Sequence, residues 1–462
     1  MSDWIFNLII SYYLSINIVF LGLMLAAVFT IRKDMRIRPL IESLRDKFPS
    51  FAPSISILAP AYNEEATIVD SINSFLLLNY PNFEIIVIND GSKDNTLRKI
   101  IDYFKLYPVL LPYDDALSRT PINQTYHSHL HPNLTVVDKV NGGKADALNV
   151  GLGFSRNEIF CAVDSDSLLE EDALLKIVLP FLERPDETIA SGGTIRIANG
   201  AVVRFGRVEQ VALPKNYFLL MQIIEYTRAF LCGRIGWNCV NSTLVISGAF
   251  GLFSKKAVQE VGGYTTNSIG EDMELVVRLH RHFRERKRKY AIVFIPDPVC
   301  WTEAPESFSS LQKQRDRWQR GLADTLFIHR SVLFNPRYGF MGMLAFPYFY
   351  FVELFGPVIE IFAMVGIAIL ALNGRLDSRM LLLFFLVGIL YGSILSMSAL
   401  IIEEIYFSKY GKIRQFLTLF LVSMIEVFGY RQITQFWRLM GLFKYLKGDK
   451  SWGHLKRTGF GS

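Results

Sequence analysis

Two carboxylates one residue apart, Asp164 and Asp166, follow directly on the apolar run 159–163. Hard oxygen donors of this kind suit Mg2+ or Mn2+, which take one or two carboxylates and fill their other positions with water and substrate phosphate. A metal held there would neutralise charge developing on a diphosphate leaving group. Read alone, the same residues also suit a turn in which Asp166 or Ser167 caps a helix opening at Leu168. A second acidic pair, Glu271-Asp272, precedes a stretch of helical periodicity over 273–279. A carboxylate at the positive end of a helix dipole is held ionised and can take a proton from an incoming hydroxyl. An ordinary helix cap is the plainer account of that pair.

Three further clusters can bind rather than react. In Asn89-Asp90-Gly91-Ser92, Asp90 can accept hydrogen bonds from a nucleotide base or ribose while Gly91 lets backbone approach a ligand. Gly142-Gly143-Lys144 offers close approach and one cation for a phosphate, but its spacing is not that of a P-loop, which argues against an NTPase. In Gln314-Arg315-Asp316-Arg317-Trp318, helical geometry puts Gln314, Arg317 and Trp318 on one face. Arginine grips a diphosphate through paired hydrogen bonds, and tryptophan stacks on the apolar face of a sugar. A basic interfacial helix anchored by Trp318 is the alternative.

These residues need a scaffold. The runs 55–60, 84–90, 134–138 and 159–164 are short, apolar and bounded by polar turns, as buried strands are. Ile68, Ile72, Phe75 and Leu76, then Leu97, Ile100, Ile101 and Phe104, mark helical faces between them. Alternating strands and helices predict a parallel sheet with its ligand crevice at the carboxyl ends, where Asp90, Asp164 and Asp166 fall. The stretch 106–132, with four prolines and the run His127-Ser128-His129-Leu130-His131, lacks periodicity and is expected to be a surface loop.

Composition moves the chain away from soluble enzymes. Of 462 residues, 51% are hydrophobic and only 20% charged. The net charge of +6 is too diffuse for a nucleic-acid stripe and fits contact with acidic lipid headgroups. Cys161, Cys232, Cys239 and Cys300 show neither zinc-site nor disulfide-framework spacing. Residues 5–31 are long enough to cross roughly 30 Å of hydrocarbon, and Arg32, Lys33, Arg36 and Arg38 behind them predict a cytosolic following domain. Residues 215–237 suit either a helix on the bilayer surface or one buried in the protein. Apolar stretches near 340–373, 379–402, 413–430 and 431–447 are expected as crossings, two or four in number and preferably four, ahead of a basic cytosolic tail. Glu353, Glu360 and Glu426 fall inside them. A carboxylate near the bilayer centre costs about 2.5–3.5 kcal/mol, so at that depth these residues are expected to face a polar interior, such as a path for a growing glycan, a position at the interface being the equal alternative for Glu353 and Glu360.

Taken together, the motifs resemble those of processive family-2 glycosyltransferases, the group that includes bacterial poly-N-acetylglucosamine, hyaluronan and cellulose synthases. The resemblance runs from about residue 54 to 320, with Pro60-Ala61-Tyr62-Asn63-Glu64-Glu65 as the opening strand and turn and Ser247-Gly248-Ala249-Phe250-Gly251 ahead of the acidic helix. It implies an α/β GT-A domain set between transmembrane helices, a UDP-sugar donor, Mg2+ or Mn2+, and inversion at the anomeric carbon. By position, Asp272 would be the general base with Glu271 beside it. Asp164 and Asp166 would hold metal and diphosphate, and Asp90 the uridine. Asn63, Glu64 and Lys144 would lie on the donor, and Gln314, Arg315, Arg317 and Trp318 on the diphosphate and acceptor end. Gly270 stands where the group often has threonine, and no Phe-x-Val-Thr-x-Lys segment follows Trp318, which lowers cellulose and favours amino-sugar polymers.

The organisation expected is a transmembrane helix over 1–31, a basic linker over 32–53, a cytosolic GT-A domain with interfacial helices over 54–330, a transmembrane bundle over 338–447 and a basic tail over 448–462. The expected function is a multi-pass, bacterial-type plasma-membrane synthase with its catalytic domain in the cytosol. It would polymerise and extrude a β-linked glycan, best from UDP-N-acetylglucosamine. Its partners would be the donor, the growing glycan and the bilayer, an accessory export protein being undetermined, with no nucleic acid. A transferase adding one sugar to a lipid carrier, or a β-glucan synthase using UDP-glucose, are the alternatives.

Overall fold

The structure is a computed structural model that describes residues 2–44, 52–374, 377–407, 410, 412–449 and 459–460. It divides into two compact units that do not follow linear boundaries. One contains residues 1–35, 214–242 and 305–455, the other 36–213, 243–304 and 456–462. Residues 214–242 and 305–330 therefore belong with the helices rather than with the strands. Most of the basic tail lies outside the described residues.

The second unit is built on a ten-stranded sheet. Its strands are β1 (Ile55–Ala61), β2 (Phe83–Asp90), β3 (Leu106–Val109), β4 (Ile122–Ser128), β5 (Leu134–Lys139), β6 (Ile159–Val163), β7 (Ser167–Leu169), β8 (Thr188–Ile197), β11 (Phe250–Ser254) and β12 (Ala291–Thr302), while β9 (Val202–Arg204) and β10 (Arg207–Gln210) form a separate hairpin. β1 and β6 are buried along almost their whole length, as expected of apolar runs covered on both faces. β5, β2, β1 and β6 run parallel in that spatial order, and Asp90 stands in register with Lys139 at the carboxyl ends of β2 and β5. Helices Ile68–Leu76, Thr96–Phe104 and Lys144–Phe154 connect these strands. Beyond β6 the expected all-parallel sheet gives way to a mixed one, because β11 pairs antiparallel with both β6 and β8.

The stretch 106–132 is not a loop throughout. β3 and β4 pair antiparallel and extend the sheet beyond β5, with Thr125 opposite Val109 and Val137. β4, Ile-Asn-Gln-Thr-Tyr-His-Ser, carries mostly polar residues, so a search for apolar runs passes over it. The histidines pack on aromatic rings: His129 stacks on Tyr107 with centroids 3.9 Å apart, and His131 meets Phe104 edge-on at 5.8 Å.

The other unit takes residues 2–35 of helix Ser2–Leu44, which continues well past residue 31. Phe6–Lys33 and Leu381–Tyr406 are each long and apolar enough to cross a membrane. Two more candidates are bent pairs, Met341–Leu354 with Gly356–Leu372 at 45° and Ile413–Ile425 with Tyr430–Leu446 at 62°. After residue 338 the candidates are thus one straight helix and two bent pairs. Ile413–Ile425 has only 13 residues, about 20 Å of helix, too short to span alone. Tyr430–Leu446 carries Arg431, Arg438 and Lys444.

The three glutamates in apolar stretches are not open carboxylates. Glu353 pairs with Arg438 at 2.9 Å, Glu360 with Arg431 at 2.8 Å and Glu426 with Arg228 at 3.1 Å. Arg228 pairs with Glu426 and Glu225 with Arg315 at 2.6 Å, so both face other helices of the unit, which favours the buried reading of residues 215–237 over a surface-lying helix.

Candidate active site

In the strand-bearing unit, β6 ends at Val163 and the chain turns through Asp164 and Asp166 into β7. β7 pairs with β12, so no helix opens at Leu168 and the capping alternative for Asp166 and Ser167 falls away. Asp166 is buried, whereas the Asp164 side chain remains about one-third exposed. Helix Lys144–Phe154 begins after Gly143, and its first residue reaches back to this turn. Lys144 Nζ lies 2.5 Å from Asp164 Oδ1, 3.5 Å from Glu271 Oε1 and 3.4 Å from the Gly248 carbonyl.

Glu271 and Asp272 are the first two residues of helix Glu271–Glu285. Asp272 Oδ2 accepts from the Gly248 amide at 3.0 Å and Oδ1 from the Met273 amide at 2.8 Å, which fixes the carboxylate at the helix N-terminus. Burial disfavours a charged Lys144, but Asp164 and Glu271 outweigh it and hold the ammonium well above its usual range. Glu271 is pushed up by burial, opposed by Lys144 and reinforced by Asp272. A cavity of about 10 Å3 between these groups is lined by Lys144, Ser247, Tyr264, Glu271 and Asp272, room for about one water molecule. Lys144 therefore acts as counter-ion to a cluster whose charges would otherwise repel.

Asp90 stands in a network of its own. Its carboxylate accepts from Lys139 Nζ at 2.5 Å, Gly142 N at 2.9 Å, Gly143 N at 2.8 Å and Asn141 Nδ2 at 3.1 Å. It thereby organises residues 141–143. Asn63, at φ 58°, accepts from Lys93 N at 2.8 Å, and Glu64 N donates to Thr96 Oγ1 at 2.8 Å. Both residues tie the turn after β1 to the turn after β2. Lys139 and Asn141 carried no motif; the one sequence signal was a lysine ending an apolar strand just before two glycines.

Gln314, Arg315, Arg317 and Trp318 lie in the helical unit on helix Phe308–Ile328. Arg315 is 2% exposed and donates to Glu225 at 2.6 Å and Gln314 at 2.7 Å. Its guanidinium also lies 4.3 Å from the Trp318 ring centroid. Trp318 is 44% exposed and packs at 6.1 Å from Tyr226. The motif thus splits: Gln314 and Arg315 are interior, and Trp318 presents a ring surface.

Among the described residues no group of three or more His, Cys, Asp or Glu could hold a metal ion by itself. Asp164 and Asp166 fit a divalent cation that takes two carboxylates and completes its shell with substrate phosphate and water, as Mg2+ and Mn2+ do.

The family model described as "Glycosyl transferase family 2" matches residues 56–261, and that described as "Glycosyl transferase family group 2" matches residues 159–395. The poly-beta-1,6-N-acetyl-D-glucosamine synthase of Staphylococcus epidermidis is 32% identical over 268 residues, covering 58% of this chain and 54% of the relative. The Staphylococcus aureus synthase is 31% identical over the same shares. The chain thus spans about half the length of the curated relatives it matches. A mannosyltransferase from Pyrobaculum calidifontis, solved with GDP-Man and Mn2+, superposes with a TM-score of 0.50 at 17% identity, covering 88% of this chain and 99% of that one. That likeness is one of fold and agrees with the GT-A architecture expected from the sequence.

Proposed function

The chain belongs to glycosyl transferase family 2, and on that footing we propose that it extends a β-linked polysaccharide at a membrane. The donor is a UDP-sugar, best UDP-N-acetylglucosamine. The observation that carries the reading is the convergence of Asp164, Lys144, Glu271 and Asp272 on one cluster at the ends of β6 and of two helices. The Staphylococcus synthases that the chain matches supply the choice of amino sugar and polymer. The apolar helices Phe6–Lys33 and Leu381–Tyr406 support a multi-pass membrane placement, and Arg32, Lys33, Arg36 and Arg38 at and beyond the end of the first favour a cytosolic strand-bearing unit.

Asp272 takes the proton of the acceptor hydroxyl as that oxygen bonds to the anomeric carbon from the face opposite UDP. The anomeric carbon–oxygen bond breaks, its electron pair leaves with UDP, and configuration inverts. A Mg2+ or Mn2+ on Asp164 and Asp166 would compensate charge on the diphosphate. Lys144 serves the same charge from the protein side and leaves its carboxylate partners when phosphate arrives. The exposed Trp318 ring is of a kind that stacks on the apolar face of a sugar.

The test offers UDP-N-acetylglucosamine, UDP-glucose and GDP-mannose singly to membranes containing the protein, measuring nucleotide release and product length. The expected result is UDP release with the amino sugar and a long β-linked product. A product of one sugar on lipid would replace polymerisation with transfer to a lipid carrier, and release from UDP-glucose alone would replace the amino sugar with glucose.

A further inference from the structure

Lys139 ends β5 and is completely buried. An ammonium has three donors and no acceptor, and burying it is costly unless every donor is used. Here Nζ lies 2.5 Å from Asp90 Oδ1, 2.7 Å from Asp146 Oδ2 and 2.8 Å from the Val140 carbonyl. The two carboxylates come from different elements, Asp90 from the end of β2 and Asp146 from the first turn of helix Lys144–Phe154. Each then does more. Asp90 also binds the amides of Gly142 and Gly143 and the side chain of Asn141, and Asp146 Oδ1 accepts from Ser118 Oγ at 2.6 Å. Burial raises the Asp146 carboxyl, but the hydrogen bonds from Lys139 and Ser118 outweigh it and hold the group below its usual range. The surroundings leave no slack, since a Cβ on Gly142 would run into the Asp146 carboxylate and one on Gly91 would lie 2.8 Å from Asn141 N.

We propose that Lys139 is a positioning residue that fixes segment 140–143, through Asp90 and Asp146, in the shape that receives the nucleoside of the donor. The proposal deepens the donor reading above and rests on it. One cation clamps both ends of the segment that leads into Lys144, so its charge sets the shape of the base-side wall without touching the reacting atoms. Removing it leaves two buried carboxylates without their shared cation and frees the carboxylate on which the amides of Gly142 and Gly143 are ordered. Arginine does not replace it, because a planar fork cannot direct donors to three points around one nitrogen.

The experiment uses the full chain, purified in detergent, with free UDP as the binding probe and UDP-N-acetylglucosamine for turnover. Lys139→Met is expected to raise the UDP Kd and the donor KM by about tenfold or more, with kcat within about threefold of wild type. Asp146→Asn added to Lys139→Met removes one uncompensated charge and is expected to recover thermal stability while the Kd stays raised. This second variant decides the matter where the first fails to fold. A stable double variant that binds UDP as wild type does would overturn the proposal and leave Lys139 as a filler of core charge. Wild-type protein that binds no UDP at all would overturn the donor reading itself, a distinct result because it precedes any substitution.

Discussion

Arg315 and Glu225 form an ion pair 2.6 Å long, and the Tyr430 hydroxyl reaches the same glutamate oxygen at 2.7 Å. An arginine expected to grip a diphosphate is thus committed to joining helices Tyr217–Thr227, Phe308–Ile328 and Tyr430–Leu446. Its cation also backs the Trp318 ring, so the motif sets the attitude of an exposed tryptophan through a buried guanidinium.

Arg315→Met should therefore cost stability before it costs chemistry. Breaking a buried pair from one side costs about 3–5 kcal/mol, because the partner is left charged and unpaired. Pairing it with Glu225→Gln should return about 1 kcal/mol or more, read as a coupling in a double-mutant cycle of denaturation midpoints. Strictly additive effects would show that the pair contributes nothing.

Asp272→Asn should preserve UDP binding and reduce transfer by about 100-fold or more, the range expected for loss of a general base. Isothermal titration with UDP and measurement of released UDP separate the two. Transfer near the wild-type rate would remove Asp272 from the base role.

Chelation should stop UDP release, and Mn2+ or Mg2+ should restore it. Asp166→Asn should raise the metal concentration for half-maximal rate by about tenfold, roughly one lost charged ligand. An unchanged metal requirement would take Asp166 out of the ligand set.

His280 gives the strand-bearing unit an acid sensitivity. Burial pushes its pKa from 6.5 down to about 3, with Arg284 adding to the effect and the Thr243 carbonyl opposing it. Between these values the unfolded chain binds a proton that the folded chain refuses, so this stability is present above pH 6.5 and is lost as pH falls toward 3. The slope approaches about 1.4 kcal/mol per pH unit inside that window. His280→Gln should flatten melting temperature against pH between 7.5 and roughly 4; a slope equal to wild type would assign the acid sensitivity to other groups.

The strands that carry the site were legible because they are apolar runs ending in carboxylates, and β1, β2, β5 and β6 lie where those runs are. β4 was not, because its residues are polar and only Thr125 and Ser128 are buried. Asp164, Lys144, Glu271 and Asp272 were each readable as chemistry, but their convergence depends on strand register and helix placement. The commitment of Arg315 left no local trace: its partners lie 90 and 115 residues away. The network around Asp90 was not legible, because nothing in the sequence says that Lys139 stands opposite it.

The ion pairs between the apolar helices bear on how the chain is made. Glu360 and Arg431 are separated by 71 residues, and Glu353 and Arg438 by 85. At a synthesis rate of about 5–20 residues per second, each glutamate leaves the ribosome several seconds before its arginine exists. On the proposed membrane placement, Gly356–Leu372 would wait with a lone carboxylate near lipid until Tyr430–Leu446 arrives. Its final seating is therefore a late event relative to its own synthesis, completed only after Arg431 has been translated, and a ribosome stalled before residue 431 should leave Gly356–Leu372 open to extraction.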